Sequence, residues 1–264
     1  MRKSNVLQKL RAGQPVLMTN AAFTGSAGLC EILGNLGFDC IWIDMEHRPL
    51  NPKDVFHMIQ GARAGSTDTC VRIVHDTPTG YARLLEDGAS GLMIPHCSTA
   101  NDARRAVELA KFPPLGDRGL DMAGPDGDYL TADLQDYLVH ANNETFVVVQ
   151  IEDMEAVENV DEIAAVEGVD ILFIGPMDLT LSMGIPGQTN HPEVQAMVDR
   201  VAQAAADHGT HWGSSLGSGE AARSYFERGA RFFNIRSDIR VMLQGFSAIK
   251  KDFDEHIGRQ TQEP

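Results

Sequence analysis

At 264 residues the chain is long enough to bury a full core, and it falls in the range of one α/β barrel rather than two small domains. A formal charge of −15 and an isoelectric point near 4.9 argue against a surface built for nucleic acid or anionic membrane. The basic N-terminus, Met1 to Lys9, lacks the apolar run of a signal peptide, and no stretch approaches a transmembrane helix in length. The expectation is a soluble cytoplasmic protein. The four cysteines, Cys30, Cys40, Cys70 and Cys97, show no zinc-type spacing and read as buried, reduced thiols.

Along the chain, short apolar, β-branched runs alternate with helical periods. Strands are predicted at 15–20, 40–44, 70–74, 91–95, 146–152, 170–175, 211–216 and 232–236. Helices are predicted over 52–63, 99–111, 154–167, 192–208, 219–228 and 238–256. Gly37, Gly88, Gly168 and Gly229 each precede an apolar run, where glycine serves the left-handed residue that ends a helix. Strands apolar on both faces require helices over the sheet. Eight such units predict a TIM-type (β/α)8 barrel with an extended C-terminal helix. The rival, a doubly wound open sheet, lacks its Gly-x-Gly-x-x-Gly turn after the first strand. Residues 1–264 thus read as a single barrel domain, with 238–264 a C-terminal helix used in subunit packing. The interval 113–145 is too long for a plain connection. It is expected to leave the C-terminal face, as a lid or as an arm to a neighbouring subunit.

Chemistry in such a barrel sits at the C-terminal ends of the strands. Those ends carry Asp44, Glu46, His47 and Arg48; Arg72 with His75 and Asp76; His96; Gln150 and Glu152; and Asp178. Glu152 and Asp178 close consecutive strands. Two neighbouring carboxylates suit a hard divalent cation, which takes one or two of them plus substrate and water. The plainer alternative is that each caps the next helix. Arg72 interrupts an apolar strand, so its guanidinium needs a carboxylate or an anionic ligand. A structural ion pair would serve equally. His47 is placed to act as acid or base, its tautomer held by Asp44, Glu46 or Glu86, or else to be a surface histidine beside Arg48. His75 and His96 read as loop or packing histidines. None of the six lysines (Lys3, Lys9, Lys53, Lys111, Lys250, Lys251) lies in a strand, which argues against imine chemistry.

Taken together, Ile43-Asp-Met-Glu-His47, Val71-Arg72, Leu84-Leu-Glu-Asp-Gly88, Pro113-Pro-Leu-Gly-Asp-Arg-Gly119, Val149-Gln-Ile-Glu152 and Ile174-Gly-Pro-Met-Asp178 resemble the HpcH/HpaI aldolase family. These are metal-dependent class II pyruvate aldolases of the phosphoenolpyruvate/pyruvate barrel superfamily, and the resemblance spans nearly the whole chain. It implies a divalent metal ion (Mg²⁺, Mn²⁺ or Co²⁺) on Glu152 and Asp178. It also implies that Arg72 binds the pyruvate carbonyl oxygen and stabilises the enolate, and that His47 serves in acid–base catalysis, paired here with Glu86. Gln150, the backbone at Pro176 and Met177, and Leu216 complete the implied substrate-binding set. The implied partners are pyruvate, an aldehyde and further copies of the chain, as a trimer or a hexamer of paired trimers exchanging C-terminal helices. The sequence departs from the family at Glu86, where many members have Asp, at Met45, where many have Gly, and over 120–128, which leaves the acceptor open. The implied reaction cleaves or forms 4-hydroxy-2-oxoacids. Oxaloacetate decarboxylation, another carbon–carbon lyase reaction, or a non-catalytic 2-oxoacid-binding barrel are the alternatives.

Overall fold

Eight short runs with no polar face can avoid water only by closing on one another and being covered from outside. The structure, a computed structural model, describes residues 2–74 and 77–257. It opens with α1 (Asn5–Arg11), β1 (Val16–Asn20), α2 (Ala27–Asn35), β2 (Cys40–Asp44), α3 (Pro52–Ala64) and β3 (Asp68–Arg72). There follow α4 (Pro78–Glu86), β4 (Gly91–Ile94), α5 (Ala100–Ala110), α6 (Leu134–Glu144) and β5 (Phe146–Ile151). The second half runs through α7 (Met154–Glu158), α8 (Val160–Ala164), β6 (Ile171–Ile174), α9 (Pro176–Ser182) and α10 (Pro192–His208). It ends with β7 (His211–Leu216), α11 (Gly219–Glu227), β8 (Phe232–Ser237) and α12 (Asp238–Ile257). The strands form a closed barrel in chain order, and β8 pairs in parallel with β1. This is the expected (β/α)8 barrel with its extended C-terminal helix.

The pleat sends alternate side chains to opposite faces and so divides the core in two. Val16, Met18, Cys40, Trp42, Cys70, Met93, Val148 and Phe173 fill the barrel, and Val6, Leu7 and Leu10 of α1 join them. Ile41, Ile43, Val71, Leu92, Val147, Val149 and Leu172 pack outward against the helices. Helix α1, absent from the sequence expectations, is fixed by a buried carboxylate. Asp68 Oδ2 accepts from Ser4 Oγ (2.7 Å) and from the Val6 amide (2.9 Å). All four cysteines are free and buried.

Gly37, Gly88, Gly168 and Gly229 adopt positive φ, between 87° and 99°, as their positions before strands anticipate. Two departures are local: the helix expected over 154–167 is two short ones broken at Asn159, and β3 stops at Arg72. A larger one concerns the long interval. Helix α5 has already returned the chain toward the N-terminal face before residue 113, so the interval 113–145 leaves from that face and not from the C-terminal one. There Arg118 meets Asp126 at 2.7 Å, and the Tyr137 hydroxyl donates to the same carboxylate at 2.6 Å. Helix α12 buries only Asp238 and exposes Val241, Leu243, Phe246, Ile249, Phe253 and Ile257.

Helices α2 and α3 approach backbone to backbone: a Cβ on Gly61 would stand 2.1 Å from the Ala27 carbonyl oxygen. Gly61→Ala is therefore expected to lose about 1–3 kcal/mol of stability by overpacking, read from denaturant unfolding. An unchanged midpoint would show that the two helices separate freely.

Candidate active site

The C-terminal face gathers its polar side chains around Arg72. The last residues of β2 and β3 are in register, Asp44 opposite Arg72. The Asp44 carboxylate takes the guanidinium as a fork, with Nε to Oδ1 at 2.9 Å and Nη2 to Oδ2 at 2.7 Å. Burial alone would raise the Asp44 pKa. The hydrogen bond and charge of Arg72, with the amides of His47 and Glu46, outweigh it and hold this carboxyl below its ordinary value. The remaining nitrogen, Nη1, donates to Gln150 Oε1 at 3.3 Å and lies 2.9 Å from Glu46 Oε2. Arg72 is thus paired, as a guanidinium in an apolar strand must be.

Gln150 passes the contact on, its Nε2 donating to Glu152 Oε2 at 2.9 Å. Glu152 is 3% exposed, and its pKa is raised by burial, with the negative charges of Asp178 and Glu46 adding to the effect. The His96 amide donates to Glu152 Oε1 at 2.7 Å and partly offsets that rise. The His96 ring spans two carboxylates, with Nε2 3.0 Å from Glu46 Oε1 and Nδ1 3.1 Å from Glu152 Oε1. Its backbone has φ +52°, a left-handed geometry that costs a non-glycine residue about 1–2 kcal/mol. Arg72, Gln150, Glu152, His96 and Glu46 therefore close a circuit. Sequence reading set His96 aside, although its place directly after the β4 end was the signal that could have found it.

Glu152 and Asp178 suit a hard cation. A Cβ on Gly175 would sit 2.8 Å from Glu152 Oε2, so a larger residue there would displace that carboxylate. Among the described residues no group of three or more His, Cys, Asp or Glu side chains is arranged to hold a metal. Pro176 has no N–H, so the free amides in the first turn of α9 are those of Met177 and Asp178.

The other expected residues are less closely gathered. The His47 side chain is 58% exposed and 3.8 Å from Glu46, beyond hydrogen-bond reach, while its backbone is held, the amide donating to Asp44 Oδ1 at 3.3 Å and the carbonyl accepting from Arg48 Nη1 at 2.7 Å. Glu86 is not brought to His47 within the chain. It closes α4, and nine helical residues carry it about 13 Å toward the opposite face. There burial raises its pKa, opposed by Arg118 and reinforced by Asp121 and Asp126. Leu216 is half-buried and packs against the outer core. His75 and Asp76 lie outside the described residues. Lys111 is the one fully buried lysine among the described residues, but at the end of α5 it donates to the carbonyls of Asn142 and Thr145, far from this face.

The family model for HpcH/HpaI aldolase/citrate lyase matches residues 23–244. A 2-dehydro-3,6-dideoxy-6-sulfogluconate aldolase from Pseudomonas putida is 36% identical over 83% of this chain and 86% of its own. A 4-hydroxy-2-oxo-heptane-1,7-dioate aldolase from Escherichia coli is 34% identical over 92% of each chain. The crystal structure of an HpcH/HpaI aldolase from Desulfitobacterium hafniense superposes with a TM-score of 0.90 at 31% identity, covering 97% of this chain and 98% of that one. The chain belongs to the HpcH/HpaI aldolase/citrate lyase family, and it is a carbon–carbon lyase.

The raised pKa of Glu152 has a thermal consequence. A carboxyl that holds its proton more tightly when folded stabilises the fold below the unfolded pKa, and that stability is lost as pH rises through the folded value. In metal-free protein, the melting temperature is expected to fall less between pH 5 and pH 8 in Glu152→Gln than in the unaltered chain. Parallel curves would show that Glu152 bears no such strain.

Proposed function

We propose that the chain is a metal-dependent aldolase that cleaves and forms 4-hydroxy-2-oxoacids by way of a pyruvate enolate. The observation that carries this reading is the buried Arg72 guanidinium, forked on Asp44 and leading through Gln150 to Glu152, which with Asp178 forms a pair of acids too few to fill a metal shell. The substrates named for the two aldolase relatives, a 2-oxo and a 2-dehydro acid, belong to the same chemical class.

A divalent cation (Mg²⁺, Mn²⁺ or Co²⁺) held by Glu152 and Asp178 would polarise the carbonyl and acidify the adjacent methyl group. Arg72 Nη1 meets the oxygen on which enolate charge develops, and its other two nitrogens stay on Asp44, so the donor is aimed before reaction. The amides of Met177 and Asp178 hold the substrate carboxylate, and Gln150 lines the pyruvate site. His47, open at the mouth, takes the C4 hydroxyl proton in cleavage and returns it in synthesis. Glu86 can reach His47 only from a neighbouring copy. The uncovered apolar face of α12 supports such a homo-oligomer, a trimer or hexamer built from single-domain barrels of residues 1–264. The reading places the enzyme in the cytoplasm, with no nucleic-acid or membrane partner; no described helix is long and apolar enough to cross a membrane.

Pyruvate release from a 4-hydroxy-2-oxoacid, coupled to lactate dehydrogenase, tests this. Chelation is expected to abolish release and Mg²⁺, Mn²⁺ or Co²⁺ to restore it; full turnover in excess chelator would sink the proposal. Arg72→Ala is expected to cost roughly 10²–10³-fold in kcat, the scale of losing a donor to a developing oxyanion. His47→Ala is expected to depress cleavage more than oxaloacetate decarboxylation or pyruvate methyl exchange, neither of which removes a hydroxyl proton. Equal losses in all three would assign His47 to ordering the site.

A further inference from the structure

Beneath the polar face lies an aromatic floor. Trp42 precedes Asp44 by two residues on β2, so the pleat turns it toward the barrel interior one layer below. The Arg72 guanidinium carbon stands 4.8 Å from the Trp42 ring centroid. Phe173 meets that ring edge-on, at 5.7 Å between centroids and 80° between planes. Trp42 is 7% exposed, and its indole N–H has no hydrogen-bond partner.

An unpartnered buried donor destabilises a fold. Phenylalanine or leucine would fill the same space without leaving one. What tryptophan adds is the most favourable aromatic face for a cation. The other contacts to Arg72 have a shared shortcoming. Asp44 and Gln150 accept from its nitrogens, and such hydrogen bonds run near the guanidinium plane. Tilting about the Asp44 fork is opposed among them only by the long bond to Gln150, at 3.3 Å. The ring lying under the guanidinium carbon adds a restraint on that tilt.

We infer that Trp42 is a positioning residue of the reaction, whose ring face holds the Arg72 plane at the tilt that aims Nη1 at the substrate oxygen. The inference rests on the reading of Arg72 as the enolate-stabilising group. Trp42 touches no reacting atom and acts through Arg72 alone.

Two substitutions and one cycle test it. Trp42→Leu removes the aromatic face and is expected to lower kcat about tenfold, the scale of a desolvated cation–π contact, with KM changing much less. Trp42→Phe keeps a weaker face and removes the orphan N–H. It is expected to melt at the same or a higher temperature while losing about threefold in kcat. A purely structural role predicts the opposite pairing, lower stability with full kcat. In an Arg72→Lys background, where no planar cation remains to be held, Trp42→Leu is expected to cost no further kcat. A Trp42→Phe enzyme with unchanged kcat overturns the inference, and so does a Trp42→Leu loss that persists in full beside Lys. Should Trp42→Leu fail to fold, Trp42→Phe alone decides. Full activity in Arg72→Ala would refute the role of Arg72 instead, a result distinct from either.

Discussion

The ion pair between Arg72 and Asp44 is the constraint on which the rest of the site depends. A guanidinium that is 5% exposed at the end of an apolar strand is tolerable only with a carboxylate in full contact. Removing one partner of such a buried pair costs about 3–5 kcal/mol, so the two residues hold each other in place. The parallel register of β2 and β3 supplies the alignment, because it sets the two last residues side by side. Two guanidinium nitrogens are taken by Asp44, and the third meets Gln150 and Glu46.

From that third nitrogen the circuit through Gln150, Glu152, His96 and Glu46 spreads the positional demand over four strand ends. It also keeps three acids close together, and that crowding adds to the burial that pushes the Glu152 carboxyl up. The same crowding that disfavours ionisation there would be relieved by the cation that the proposed function requires. Stability and function therefore pull in opposite directions at one residue.

Much of this arrangement was legible in the sequence. The eight strands are apolar on both faces, which only a covered parallel sheet explains, and their ends pick out Asp44, Glu46, Arg72, Gln150, Glu152 and Asp178. Arg72 had to be paired, and the strand-end acids named the candidates. Other features depend on geometry that no local pattern carries. His96 joins the circuit through an unusual backbone angle and through acids on β2 and β5, both distant in sequence. Glu86 lies beside the strand-end residues in the motif but on the other face in the fold, because a helix intervenes. The interval 113–145 leaves from the face opposite the expected one for the same reason, because α5 precedes it. Trp42 reads as ordinary core until the residue above it is seen to be a cation.

Helix α12 begins at the residue after the last strand ends, so its apolar face is made only after all eight strands. Nothing in the barrel needs that face in order to close. If that face joins protomers, as proposed above, then closure of one chain and its association with others are separated in time during synthesis, the joining surface appearing only when a finished barrel stands behind it. A chain truncated by accident before residue 238 would carry all eight strands and every acid of the face described above, yet lack the face through which the proposed assembly would form.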